Sequence, residues 1–171
     1  DDFYISDYKK SKIMLLTYKK WLMKNTTLLQ KMNFCLMSGS TLFTHAVRPT
    51  KDIDAIYIEG NKKLDDLVRK FFFNEKTKFF FSDVGSENWK PTWKESNKKW
   101  LDLLQIKNMN ELILNPRYHY YFMGLKVFRL DYEIYRKLKI TQSPKTFADV
   151  YYMNLNTTIN IKDFENNKKI L

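Results

Sequence analysis

Apolar positions along the chain recur in two rhythms, and the switches between them predict its elements. Over 7–32, Ile13, Leu16, Trp21, Leu28 and Met32 stand at helix-like intervals with lysines between them, which predicts one long helix. Residues 33–38 form a short apolar run and read as a buried strand. Residues 41–47 look helical, and Pro49 stops them. Residues 52–59, rich in Ile and Tyr and closed by Gly60-Asn61, predict a second strand. An amphipathic helix over 62–72 and a third strand over 78–83 follow.

Residues 85–98 are polar and contain Gly85 and Pro91, so they read as a loop leading into a helix at about 92–106. A helical turn over 108–114 precedes Asn115-Pro116, and 118–123 is aromatic and strand-like. Two closing helices are expected at 130–140 and 145–154, around Ser143-Pro144. Strands alternating with helices imply an α+β (α/β) domain, a mixed sheet flanked by helices. The expected organisation is a helical segment over 1–32 packed on a domain over 33–155, then a loose polar tail over 156–171.

Composition narrows the class. Hydrophobic residues make up 44 % of the 171, which excludes a globally disordered chain. No apolar run is long enough for a membrane span, and no secretory signal opens the chain. A chain that opens at Asp1 rather than Met is expected to be a fragment or a processed product. Cys35, the single cysteine, sits in an apolar run and is expected to be a small core residue in a reducing, intracellular (cytoplasmic) compartment. With one Cys and two His, a dedicated zinc site is not expected. Thirty basic against nineteen acidic residues give a net charge of +11. Two readings of that surplus stay open: attraction to polyanions such as nucleic acid, or a Lys-biased composition with no partner behind it.

The chemistry concentrates in 38–54, Ser-Gly-Ser-Thr-Leu-Phe-Thr-His-Ala-Val-Arg-Pro-Thr-Lys-Asp-Ile-Asp. Gly39-Ser40 falls where a strand gives way to a helix. Glycine there lets backbone approach a phosphate, and the Ser40 hydroxyl adds a donor. Asp52 and Asp54, two apart on a strand, share a face, roughly 6–7 Å apart along the chain. Two such carboxylates can hold Mg²⁺ or Mn²⁺, which would neutralise phosphate charge and activate an attacking oxygen. Ile53 points the other way, toward a core. Taken singly, Gly-Ser is a common turn and Asp-x-Asp a common solvated strand end. Strand, Gly-Ser, helix, short loop and strand-borne Asp-x-Asp in sequence make the stronger signal.

This segment resembles the nucleotidyltransferase superfamily of DNA polymerase β type, whose pattern is Gly-Gly/Ser, a short run, then Asp-x-Asp/Glu. The nearer resemblance is to AbiEii-like nucleotidyltransferases, and Arg48-Pro49-Thr50-Lys51-Asp52-Ile53-Asp54 carries it. The resemblance implies a nucleotidyltransferase-like sheet with closing C-terminal helices. It implies that Gly39, Ser40, Arg48 and Thr50 bind the nucleoside triphosphate and that Asp52 and Asp54 bind metal; for Arg48 a second reading stays open, anchoring of the loop to a carboxylate. It extends loosely to Leu125-Lys126, Arg136 and Lys145–Asp149, with Lys126, Lys145 and Asp149 facing the Asp pair across a cleft. Thr146 stands where that pattern has its first Asp. Polymerase members of the superfamily carry a third carboxylate, for which Asp83, Asp131 and Glu133 are the candidates. LicD-like phosphocholine transferases share the fold but place their acidic cluster farther from the glycine.

The implied function is transfer of a nucleotidyl group from an NTP to an acceptor such as RNA, tRNA or protein. The alternatives are an inactive module of the same fold that binds nucleotide or nucleic acid, and a structural or assembly protein. His45 reads as partly buried and satisfied, and His119 as structural. Trp89, Trp93 and Trp100, interleaved with lysines, could stack bases, but the spacing of Trp93 and Trp100 also suits helix packing, which is the preferred reading.

Overall fold

The computed structural model describes residues 2–58, 60–70, 76, 78–84, 110–131, 133, 148, 149 and 151. The ordered elements are α1 (Asp2–Asn25), α2 (Leu28–Lys31), β1 (Phe34–Leu36), α3 (Gly39–Thr44), β2 (Ile53–Ile58), α4 (Lys62–Arg69), β3 (Phe79–Val84), α5 (Asn110–Leu114), β4 (His119–Phe122) and β5 (Leu125–Phe128). The five strands form one mixed sheet in the order β3-β2-β1-β5-β4. β1 runs antiparallel to β2 and parallel to β5, β2 is parallel to β3, and β4–β5 is an antiparallel hairpin. The fold is therefore mixed α+β, as the alternation of periods predicts.

All three residues of β1 and all four of β5 are buried, as expected for central strands covered on both faces. One face carries Phe34, Leu36, Ile53, Ala55, Tyr57 and Val127, packed with Leu15, Tyr18 and Leu22 of α1 and with Leu64 and Val68 of α4. Cys35 and Ile56, paired in register, alternate to the other face, and α5 reaches β2. Cys35 is fully buried, the small core residue its apolar setting predicts.

The predicted helix over 7–32 is two helices. Thr27 interrupts it with a capping box, accepting from the Gln30 amide while the Gln30 side chain accepts from the Thr27 amide. The buried face also differs from the expected one. Ile13 is 64 % exposed and Leu28 and Met32 face outward, whereas Ser11, Leu15, Tyr18 and Leu22 form the buried stripe. The helix has apolar residues on several sides, and the sheet selects the stripe at i, i+4, i+7 and i+11.

The predicted strand over 118–123 is the first arm of a hairpin. Met123 and Gly124, with φ of 52° and 76°, make a two-residue turn between Phe122 and Leu125, and both lie in the left-handed region that such turns require. The second arm, β5, is not anticipated from the sequence, yet it supplies the parallel neighbour of β1. Leu130, Asp131 and Glu133, and then Ala148, Asp149 and Tyr151, are helical. The rest of the two closing helices, the predicted helix at 92–106 with its tryptophans, and the tail lie outside the described residues. Among the described residues no helix is long and apolar enough to cross a membrane.

Candidate active site

The chain leaves β1 and turns at Ser38 into α3. Ser38 adopts φ 57° and ψ −128°, sparsely populated for a residue with a side chain. Its amide donates to the Glu133 carboxylate, which is fully buried. The Met37 amide donates to the Asp54 carbonyl at 3.0 Å, so the antiparallel β1–β2 ladder continues to the turn. Gly39-Ser40 and Asp54 are thereby placed at the same end of the sheet.

Ser40 is fully buried, and its Oγ accepts from the Asp54 amide at 2.9 Å. The sequence expectation assigns this hydroxyl to a triphosphate. In the structure its acceptor lone pair ties α3 to the start of β2, leaving its own proton to donate. Gly39 is also explained from within. A Cβ there would stand 2.8 Å from the Thr50 Oγ1 and 3.7 Å from both terminal nitrogens of Arg48. The close approach that requires glycine is therefore made by the protein's own loop.

That loop is held from both sides. Ser11 of α1 accepts from the Thr50 amide at 3.0 Å and lies 2.9 Å from the Thr50 carbonyl, to which its hydroxyl can donate. The Thr50 hydroxyl donates to the Asp52 carbonyl at 2.9 Å. Arg48 donates through Nε and Nη2 to the two carboxylate oxygens of Asp149, at 2.6 and 3.2 Å. Asp149 is 2 % exposed. Of the two residues expected at a phosphate or on the far wall of a cleft, each is thus the other's partner, and Asp149 meets the Gly39 side of the site through Arg48. Lys145 lies outside the described residues.

Asp52 sits one residue before β2, half-buried, and among the described residues nothing bonds its carboxylate. Asp54, also half-buried, lies two residues from Ile56 and so on the Cys35 face of the sheet. Ile53 points into the opposite core and is fully buried, as expected. Burial first, and the Glu133 charge after it, push the Cys35 thiol far up from its ordinary range, with Lys126 opposing. Of the three candidate third carboxylates, Glu133 is the one at the turn. Asp131 pairs with Arg129 through Nε and Nη2, and the Asp83 side chain is outside the described residues. Among the described residues no three His, Cys, Asp or Glu side chains group closely enough to hold one ion, so a metal here would rest first on Asp52 and Asp54.

Lys126 does not join them. From β5 its Nζ donates to the Met32 carbonyl at 2.6 Å and the Ile113 carbonyl at 2.8 Å, at the opposite end of β1 from Gly39. A buried ammonium needs acceptors, and the carbonyls ending α2 and within α5 provide them, which draws Lys126 away from the Asp pair. Burial also lowers its pKa, with the Cys35 charge opposing.

His45 caps α3, exposed on one side and covered on the other. Its ring lies edge-on to Tyr120 at 5.1 Å, and desolvation lowers its pKa while Asp131 raises it. Tyr120 bonds Thr44 at 2.7 Å, and burial pushes its phenol up to about 12. His119 is buried in β4 with its ring against Tyr121, the structural role expected of it. Sequence reasoning did not find Ser11 or the Gly39–Thr50 contact, because neither partner carries a local signal of the other. No family model, curated protein or solved structure matches this chain.

Proposed function

We propose that the chain is a metal-dependent nucleotidyltransferase domain, related to the polymerase-β-type and AbiEii-like enzymes, that transfers a nucleotidyl group from an NTP to an acceptor. The observation that carries this reading is the joint between Ser40 and Asp54. The Gly-Ser turn and the Asp-x-Asp segment, separate in sequence, are hydrogen-bonded neighbours at one end of the sheet. The donor set suits a divalent cation: Asp52 and Asp54 are half-buried carboxylates, and among the described residues that of Asp52 is unbonded. Mg²⁺ or Mn²⁺ held by the pair supplies charge neutralisation on the phosphates and activation of the attacking oxygen. Ser40 sets the position of Asp54 through its backbone. Arg48, oriented by Asp149, brings a guanidinium beside Gly39, its charge balanced by that carboxylate. The net charge of +11 suits a polyanionic acceptor such as RNA or tRNA.

A second reading, a non-catalytic module of the same fold that binds nucleotide or nucleic acid, is favoured by two contacts. Lys126 is engaged with backbone carbonyls away from the Asp pair, and Arg48 is paired with Asp149. One experiment separates the two. The protein is incubated with Mg²⁺ or Mn²⁺, each labelled NTP and total RNA. Label transferred to any acceptor, and lost in Asp54→Asn, supports the enzyme. Saturable NTP binding without transfer supports the module, and absence of both sinks the nucleotide reading altogether.

A further inference from the structure

The end of the sheet opposite the Gly39-Ser40 turn presents an apolar surface. Leu28 and Leu29 on α2 are 84 % and 78 % exposed, and Met32 after α2 and Met123 at the tip of the β4–β5 turn are also exposed. Two sets of contacts bring these segments together. Lys126 reaches from β5 to the Met32 carbonyl. The ammonium groups of Lys31 and Lys19 lie 3.9 and 4.0 Å from where a Cβ on Gly124 would stand, so α2, the middle of α1 and the hairpin tip converge. The capping box between Thr27 and Gln30 fixes α2, so an ordered turn displays the leucines.

The charge at this surface has one sign. Lys19 and Lys31 converge on the same turn, and among the described residues neither ammonium has a hydrogen-bond or ion-pair partner. Two like charges held close repel, and an anion between them offsets that cost. The occupant must therefore be anionic and also accept aliphatic side chains. RNA meets only the first demand: Tyr121 on the hairpin is an exposed ring on which a base could stack, but the most exposed groups, Leu28 and Leu29, are aliphatic and offer bases no such platform. A folded acidic partner would need a groove shaped for two protruding leucines, whereas an acyl layer takes them without a preformed shape.

We propose that the surface formed by Leu28, Leu29, Met32 and Met123 with Lys19 and Lys31 docks on an anionic phospholipid surface. The leucines enter the boundary between headgroups and acyl chains, and the two ammoniums sit on lipid phosphates. The Gly39–Asp54 site lies at the other end of the sheet, so this inference is independent of the nucleotide reading.

The test is co-sedimentation of the full chain with vesicles of phosphatidylcholine alone and of phosphatidylcholine mixed with phosphatidylglycerol. Binding is expected only to the anionic vesicles and weaker at high salt. Leu28→Ser/Leu29→Ser should reduce it at least about tenfold, and Lys19→Gln/Lys31→Gln by roughly 30-fold. All four side chains are surface-exposed or unpaired, so unchanged thermal unfolding is expected, and the lysine pair serves if the leucine pair fails to fold. No binding to anionic vesicles, or binding unaffected by both variants, overturns the proposal. Self-association abolished by the same variants also overturns it, because the surface would then be covered by a second copy.

Discussion

The Ser40 hydroxyl accepts the Asp54 amide at 2.9 Å, so the turn after β1 and the acidic start of β2 are one unit. Ser40→Ala leaves that part-buried amide without its partner. A loss of about 1–3 kcal/mol in unfolding free energy is expected, together with weaker NTP binding by calorimetry. Unchanged stability would mean that the joint holds without the hydroxyl.

Gly39 faces Thr50 rather than open space. Gly39→Ala should destabilise by about 1–3 kcal/mol, the usual cost of overpacking. Thr50→Ala removes the obstructing Oγ1, so in the double variant part of that cost should return. Denaturant melts of the four proteins measure the coupling, and strict additivity would place the strain elsewhere.

Asp52→Asn and Asp54→Asn should each lower nucleotidyl transfer on the order of a thousandfold, through the lost metal ligand. Asp52→Asn should leave the unfolding temperature near that of the parent, because no described group depends on its carboxylate. Transfer that persists in the double variant would remove the metal assignment.

α3 ends in a Schellman arrangement. The Ala46 amide donates to Phe43 and the Val47 amide to Leu42, with Ala46 at φ 55°. Glycine is the residue that adopts this conformation freely. Ala46→Gly should therefore stabilise the fold by about 0.5–1 kcal/mol in thermal melts, without altering nucleotide affinity. A destabilised variant would mean that the Ala46 methyl packs usefully.

Burial holds the Cys35 thiol protonated well above its ordinary value of 9.0. Above that pH the unfolded chain releases a proton that the folded chain keeps, so stability falls as pH rises. The contribution has a slope of about 1.4 kcal/mol per pH unit. Tyr18, raised by burial from 10.0, adds the same sign at higher pH. Lys126 contributes the opposite sign just below its ordinary 10.5, since its folded pKa is lowered. Cys35→Ala should flatten the decline between pH 9 and 10, read from urea midpoints. An unchanged slope would assign the alkaline loss to other groups.

Local chemistry alone determined the unit of β1, α3 and β2. The apolar run before Gly39, the stop at Pro49 and the Ile/Tyr-rich stretch after Asp52 are all short-range signals, and they located the turn and the acidic pair. The sequence by itself did not reveal what surrounds them. α1 has apolar residues on several sides, and only the sheet decided that Leu15, Tyr18 and Leu22 face inward while Ile13 and Leu28 do not. Met123-Gly124 is a weak hairpin signal, so β5 went unread although it flanks β1. Lys126, expected from its motif position at the site, is drawn to the Met32 and Ile113 carbonyls at the other end of β1, because a buried ammonium goes where acceptors are. The same holds for Glu133 at Ser38, Asp149 at Arg48 and Thr50 at Gly39: each contact joins residues through space, and the partner of a buried polar group is chosen by packing, which a linear pattern does not encode.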